Sequence, residues 1–319
     1  MDKKVCVVGA GYWGSKHISI LSEMGALKGI IEPNMEVLQL HLKDYPEIKG
    51  FSNVEEALTH NYDGFVIASP AETHFPIAKK LILSKKHVLI EKPMCLNVKE
   101  AEEIVLLAKK QKINVMVGHV LLFHPAINKI KYIIKNGLIG DLQYVYSNRL
   151  NLGKVRTEEN VFWSLAPHDI AIFQYLTDSF PKNINSKGST FLQKGVPDST
   201  VTQIEYQSGV KGHIFVSWLH PFKEHRLVII GSEAMISFED SVKGRPLKLY
   251  SKKFNFNKGI PEKIDGPVEN ITYEKVMPLS LEIKHFLNHL DGKKLNFSDA
   301  LHGLEVVKVL SEAGKQLLK

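Results

Sequence analysis

Four short stretches of this 319-residue chain hold side chains whose types and spacing could do chemistry, and the first is Gly9-Ala10-Gly11-Tyr12-Trp13-Gly14. It follows directly on the apolar run Val5–Val8 and opens a segment with helical spacing. At a strand-to-helix turn Gly9 permits the tight turn, Gly11 lets a pyrophosphate approach the backbone, and Gly14 lets helix pack on sheet. The helix amino terminus then meets the phosphate charge. Glu32 ends the next apolar run, at the interval where an acid can accept hydrogen bonds from the adenine-side ribose. Its charge would repel a 2′-phosphate, and neither Pro33 nor Asn34 supplies a cation, so NAD is expected rather than NADP. Tyr12 and Trp13, inside the motif, join the candidate cofactor residues.

The second stretch, Ala68-Ser69-Pro70-Ala71-Glu72-Thr73-His74, follows another apolar run. Loops at the carboxyl ends of parallel strands line the ligand crevice, so Ser69, Pro70 and His74 are candidate cofactor neighbours; a capped turn built on Ser69 or Thr73 is the plainer alternative. His119, after the run Val115–Val117, is placed with them. The third stretch is Glu91-Lys92-Pro93, after Val88–Ile90, and all three residues join the candidate cofactor residues. A lysine at the mouth of the sheet could donate to a reacting oxygen and, partly desolvated, lose its proton near neutral pH. Alone, Lys-Pro is a common surface dipeptide. The fourth is Ser164-Leu165-Ala166-Pro167-His168-Asp169-Ile170. Pro167 favours a helix that starts there, which would put His168 in the first turn, where the dipole disfavours imidazolium and keeps the ring a base.

The elements that must position these residues show two hydrophobic periods. Through residue 119, apolar runs at Val5–Val8, Leu27–Ile31, Phe65–Ala68, Val88–Ile90 and Val115–Val117 alternate with helical spacing, with a weak strand near Gly50–Phe51. Continuous apolar strands alternating with helices mean a parallel sheet covered on both faces, a doubly wound α/β domain of Rossmann type. Residues 120–319 read as a second, α+β domain on a mostly antiparallel sheet, with strands at Leu142–Leu150, Thr200–Tyr206, Lys211–Leu219, Leu227–Ile230 and Ala234–Phe238. Helices are expected at His124–Asn136, Pro167–Leu176, after Leu279 and at Asp299–Leu318, the last one suited to packing back on the first domain. Lys243–Thr272, rich in Lys, Asn, Gly and Pro, reads as an irregular excursion.

Composition sets the outer bounds. With 44% hydrophobic and 24% charged residues the chain can bury an ordinary core. The excess of 41 basic over 34 acidic residues is scattered, with no basic cluster interleaved with aromatics, so no nucleic-acid partner is expected. Cys6 and Cys95 cannot make a disulfide framework, and no metal site is expected. No signal peptide and no membrane-length apolar stretch is seen, so no membrane partner and a cytoplasmic location are expected.

Gly9–Gly14, Glu91-Lys92-Pro93 and His168-Asp169, in that order along the chain, resemble the glucose-fructose oxidoreductase / inositol dehydrogenase / rhizopine-catabolism family over nearly the whole length. The resemblance implies an NAD-dependent oxidoreductase in which Lys92 contacts substrate and cofactor ribose, the peptide before Pro93 is commonly cis, and Lys92 and His168 are catalytic. Where many members carry aspartate four residues before this histidine, this chain has Ser164. The stretch from Asn148 to Trp163 resembles the branch that acts on UDP-linked amino sugars, the UDP-N-acetylglucosamine 3-dehydrogenases that precede 3-amination in lipid A synthesis. That implies a UDP-sugar substrate and a downstream aminotransferase; the many apolar residues in the strands of the second domain lead us to expect one broad sheet face against another subunit, in a homodimer or homotetramer. Asn151, Lys154, Arg156, Trp163, Lys92 and His168 are then candidate substrate residues; Arg149 joins Lys154 and Arg156 as candidates for pyrophosphate, and Asn148 and Asn160 join Asn151 for sugar groups. Oxidation of UDP-N-acetylglucosaminuronate and an NAD-dependent glycosidase stay open as alternatives.

Overall fold

The computed structural model describes residues 3–153, 155–156 and 159–317, and the chain divides into two compact units. One comprises Met1–Phe123 with Met277–Lys308, the other His124–Val276 with Val309–Lys319.

In the first unit β1 (Val5–Val8), α1 (Tyr12–Glu23), β2 (Leu27–Ile31), α2 (Met35–Asp44), β3 (Lys49–Phe51), α3 (Val54–Leu58), β4 (Gly64–Ile67), α4 (Ala71–Leu83), β5 (His87–Glu91), α5 (Val98–Gln111) and β6 (Val115–Gly118) alternate strictly. The six strands are all parallel in the order β3-β2-β1-β4-β5-β6, the doubly wound arrangement with its switch point between β1 and β4. Every residue of β1, β4 and β6 is buried, as both-face coverage demands. Asparagines start three of the helices: Asn34 accepts from the Glu36 and Val37 N–H groups, Asn53 from Glu56, and Asn97 from Glu100. A 3-10 turn, Val120–Phe123, follows β6.

The alternation of periods puts a boundary at 119/120, with only the last helix suited to packing back on the first domain; by contact, the whole of Met277–Lys308 groups with the sheet. The physical reason lies at β6, the outermost strand. Ser298 covers it: Val117 N–H donates to Ser298 O at 2.8 Å, and Ser298 Oγ donates to Val117 O at 2.7 Å. Asn114 Nδ2 donates to the His289 and Lys293 carbonyls. An edge that would otherwise expose a row of backbone groups is closed by chain that is distant in sequence.

The second unit is built on an eight-stranded sheet, with β7 (Leu142–Leu150), β8 (Pro181–Ser189), β9 (Ser199–Tyr206), β10 (Lys211–Ser217), β11 (Glu224–Gly231), β12 (Met235–Glu239), β13 (Leu247–Asn257) and β14 (Ile260–Asn270). Their order is β14-β13-β12-β11-β7-β10-β9-β8, antiparallel throughout except for the pair β7–β10. Helix α6 (Pro125–Lys135) packs on α7 (Val161–Thr177), and α7 packs on β7, β9 and β10. Helices α8 (Pro278–Leu287) and α9 (Ala300–Leu317) complete the chain, and the residues of α9 fall in both units. Along β7 the side chains of Val145, Ser147 and Arg149 are buried, while Tyr144, Tyr146 and Asn148 alternate with them on a half-buried face. Phe215 of β10 and Val228 and Ile230 of β11 are half-buried too.

Two expectations change. The segment 243–272 is not irregular: β13 and β14 form a long hairpin, with Asn257 paired to Ile260 across a two-residue turn in which Lys258 and Gly259 both have positive φ. A two-residue turn of this hand matches the strand twist. Pro261, Pro267 and Lys263, which made the segment look irregular, belong to an outer strand, where a proline costs no ladder bond and a charge deters further pairing. Similarly β8, unmarked by any apolar run, is the opposite edge. The helix expected from Pro167 begins instead at Val161, capped by Asn160, whose side chain accepts from Trp163 N–H at 3.1 Å. Pro167 lies inside the helix, so His168 is not in its first turn and the dipole argument for its neutrality does not hold.

Candidate active site

The glycine turn is built as its spacing requires. Gly9 has φ of +91°, and a Cβ there would lie 2.8 Å from the Ser69 backbone. A Cβ on Gly14 would strike the Gly9 carbonyl, whereas one on Gly11 would meet nothing within 4 Å. Gly9 and Gly14 are therefore fixed by internal packing, and Gly11 borders open space where a ligand can reach the backbone. Gly11 is the helix cap of α1 and offers no side-chain bond; the first turn carries no acid, so its N–H groups and positive dipole end stay available to an anion. Tyr12 and Trp13 stand in that turn with exposed rings packed edge to face.

Glu32 sits where the sequence places it, at the end of β2, but it does two jobs. Its Oε2 accepts from Ala10 N–H at 2.9 Å and its Oε1 from Asn34 N–H at 3.0 Å, so the carboxylate holds the glycine turn to the sheet. Each oxygen keeps a second lone pair that a ribose hydroxyl can use. His41 of α2 supports the same turn, with Nε2 3.1 Å from the Ala10 carbonyl.

The turns after β4 and β5 are tied together by His74. Its Nδ1 lies 2.9 Å from Pro93 O and its Nε2 2.9 Å from Ser69 O. Two acceptors on one ring mean that a neutral imidazole donates to one of them and an imidazolium to both. His74 is buried and spends its nitrogens on backbone, so it braces the crevice rather than facing a cofactor as expected. Ser69 is half-buried with Oγ 2.6 Å from Thr73 Oγ1, and Pro70 is exposed. The Lys92–Pro93 peptide is cis, as the resemblance implies, and Lys92 is half-buried immediately beyond β5.

Glu91 also turns inward instead of meeting a cofactor. Its Oε1 lies 2.8 Å from His17 Nε2, and its Oε2 accepts the Lys92 N–H at 3.1 Å. His119 is buried, its ring edge to face with His302 at 5.5 Å. Burial, and then the neighbouring His302 and Lys92, push it well below the usual histidine range, so it is a neutral ring.

In the second unit the substrate candidates divide. Arg149 is not available to a pyrophosphate: Nε donates to Asp169 Oδ2 at 2.7 Å and an Nη to Oδ1 at 3.0 Å, a bidentate buried ion pair. Its second Nη donates to His225 Nδ1 at 3.4 Å, and burial, followed by the Arg149 charge, lowers His225 to about 3. Asn148 Nδ2 donates to Glu224 Oε1 at 2.8 Å, and Asn160 Oδ1 caps α7, so each amide already spends one of its two ends within the unit. Arg156 is exposed, 3.2 Å from Glu159, and Asn151 and Trp163 are half-buried. Asn151 continues from β7, its N–H donating to Ser217 O. His168 is half-buried in α7, one residue before the ion-paired Asp169. Lys154 lies outside the described residues.

Residues 3–119 match the model of an oxidoreductase family described as having an NAD-binding Rossmann fold, and residues 127–237 match the GFO/IDH/MocA C-terminal domain. The chain belongs to the GFO/IDH/MocA oxidoreductases. It is 25% identical over 309 residues to the UDP-N-acetylglucosamine 3-dehydrogenase of Acidithiobacillus ferrooxidans, with 94% of this chain and 93% of that protein covered. A solved structure of UDP-N-acetylglucosamine 3-dehydrogenase GnnA from that organism superposes with a TM-score of 0.87 at 23% identity, over 99% of this chain and 97% of the other. The WlbA dehydrogenase of Bordetella pertussis, solved with NADH and UDP-GlcNAcA, superposes at 0.80 with 18% identity, over 99% and 96%. At these identities the two superpositions speak for the fold.

As a GFO/IDH/MocA oxidoreductase the chain uses NAD, and the open space at Gly11 with the uncapped first turn of α1 fits the pyrophosphate. Sequence reasoning missed His17, His41, Glu282 and His302. His17 and Glu282 were findable: Gly14, His17, Ile18 and Leu21 make the buried stripe of α1, and Leu279, Glu282, Ile283 and Phe286 that of α8. A polar side chain in the middle of an apolar stripe is a signal in its own right. It also missed that His285 and His289 stand at a spacing suited to a metal; here His289 Nδ1 donates to the His285 carbonyl at 2.7 Å.

Proposed function

We propose that this chain oxidises the 3-hydroxyl of a UDP-linked amino sugar, UDP-N-acetylglucosamine first among them, to the 3-keto sugar. The observation that carries the reading is the match to the Acidithiobacillus ferrooxidans enzyme along nearly all of both chains, combined with Lys92 standing at the carboxyl end of β5. Gly9, Gly11, Gly14 and Glu32 hold the dinucleotide, and bound NAD supplies the hydride acceptor. Lys92 and His168 share the proton work. One removes the proton of the 3-hydroxyl, and the other donates a hydrogen bond to the oxygen as it becomes a carbonyl. Arg156 and Lys154 are the cations assigned to the UDP pyrophosphate, with Asn151 and Trp163 beside the sugar. Three-keto sugars of this kind are substrates for an aminotransferase, which gives the reaction its place before 3-amination in lipid A synthesis, in the cytoplasm. Among the described residues no helix is long and apolar enough to cross a membrane.

Incubation with NAD and UDP-N-acetylglucosamine should yield NADH and a product two mass units lighter, by mass spectrometry. Faster turnover of UDP-N-acetylglucosaminuronate would replace the substrate, and free sugar without net NADH would replace the reaction by glycoside cleavage. We also propose a homodimer or homotetramer that covers the half-buried face bearing Tyr146, Phe215, Val228 and Ile230. Sedimentation at micromolar concentration should show a species of at least twice the 36.0 kDa chain; a stable monomer rejects it.

A further inference from the structure

Beneath the Lys92 turn lies a buried cluster that the proposed reaction does not use. His17 of α1, Glu91 at the end of β5 and Glu282 of α8 bring one ligating atom each to within 4.8 Å of the other two. His17 and Glu282 are inaccessible to solvent, and Glu91 is nearly so. The arrangement is specific: Glu91 is paired across the sheet with Gly118, where a Cβ would come within 3.1 Å of the Glu91 carboxyl, so glycine leaves the space that this side chain fills. Helices α1 and α8 pack on each other and carry the other two members.

The cluster is short of hydrogen-bond partners. His17 Nε2 donates to Glu91 Oε1, and Glu91 Oε2 accepts the Lys92 N–H. His17 Nδ1 and both oxygens of Glu282 have no hydrogen-bond partner among the described residues. Two carboxyl groups buried this close to one another cannot both keep the charge they carry in water. Burial, and then the Glu91 charge, push Glu282 well above the usual carboxyl range, which makes it the member that keeps a proton. A carboxylic acid has one O–H to donate, and its neighbours are acceptors within a span that one bridging water or a small torsional change closes.

We propose that Glu282 is a positioning residue for Lys92: it supplies a proton shared with the His17–Glu91 pair, and that pair holds the Lys92 backbone N–H. The proposal rests on the reading of Lys92 as a residue of the reaction. Glu282 touches no substrate; it acts through Glu91.

The test uses two replacements of similar volume in the full-length protein. Glu282→Gln keeps a donor without a charge, and Glu282→Met removes the donor while filling an apolar site, so both should fold, as melting curves will verify. With Gln, kcat and the hydrogen-exchange protection of the Lys92 amide, read by NMR, should stay near wild type. With Met, the amide should exchange faster and kcat should fall by about tenfold to a hundredfold at unchanged KM for NAD, the cost of a misplaced group. Loss with Gln equal to that with Met would overturn the proposal, as would unaltered protection with Met, or a stoichiometric divalent metal in the purified protein. Amide exchange needs no substrate, so it decides this point even if UDP-N-acetylglucosamine is not turned over.

Discussion

Lys92→Ala should lower kcat by about a hundredfold to ten-thousandfold, the range for a lost proton-transfer group, with NAD affinity close to wild type. The separation of effects follows from where contacts lie. In the proposed function Glu32 and the glycine turn hold the dinucleotide from β1, β2 and α1, where the Glu32 carboxylate accepts from the Ala10 and Asn34 N–H groups. Lys92 follows β5 on a turn fixed by Glu91 below and by His74, which reaches Pro93 O. Removing the ammonium therefore leaves the crevice standing. Lys92→Arg separates two roles. Arginine keeps the charge but cannot act as a base, so it recovers activity if Lys92 steadies the oxygen and stays as slow as alanine if Lys92 takes the proton. Isothermal titration with NAD beside steady-state kinetics measures both quantities. Full activity in Lys92→Ala would remove the lysine from the reaction, and lost NAD binding would make it a cofactor residue.

How far the sequence reaches depends on whether a signal is local. The parallel sheet was legible because strands buried on both faces must be apolar at every position, as Val5–Val8 and Gly64–Ile67 are. The glycine turn was legible because Gly9 and Gly14 meet constraints set within a few residues of themselves. Edge strands defeat the same reasoning: β14 and β8 carry the polar and proline-rich composition of loops because an edge is protected by such residues. The start of α7 was misplaced because two local signals compete, Pro167 and Asn160, and the capping hydrogen bond wins. Partners drawn from separate elements leave no local trace. Nothing near Arg149 announces Asp169, nothing near Glu91 announces Glu282, and each changes what its residue can do.

That hidden pairing sets the largest stability effect. Asp169→Ala should destabilise the second unit by about 3–5 kcal/mol, because it leaves the Arg149 guanidinium buried without its carboxylate. Arg149 is 8% exposed and Asp169 3%, so solvent cannot take over the lost bonds. The penalty is that of an uncompensated charge more than the worth of the pair, and a second variant tells the two apart. Arg149→Met with Asp169→Leu removes both charges and fills the space, and should recover most of the stability. Activity should not follow stability. Asp169 anchors α7 to β7 one residue beyond His168, and Arg149 reaches His225 on β11, so the double variant should remain folded with a lowered kcat. Urea denaturation followed by tryptophan fluorescence reports a unit that contains Trp163 and Trp218. A loss below about 1 kcal/mol in Asp169→Ala, the size of an exposed pair, would show that water reaches this site and that the pair does not hold the helix.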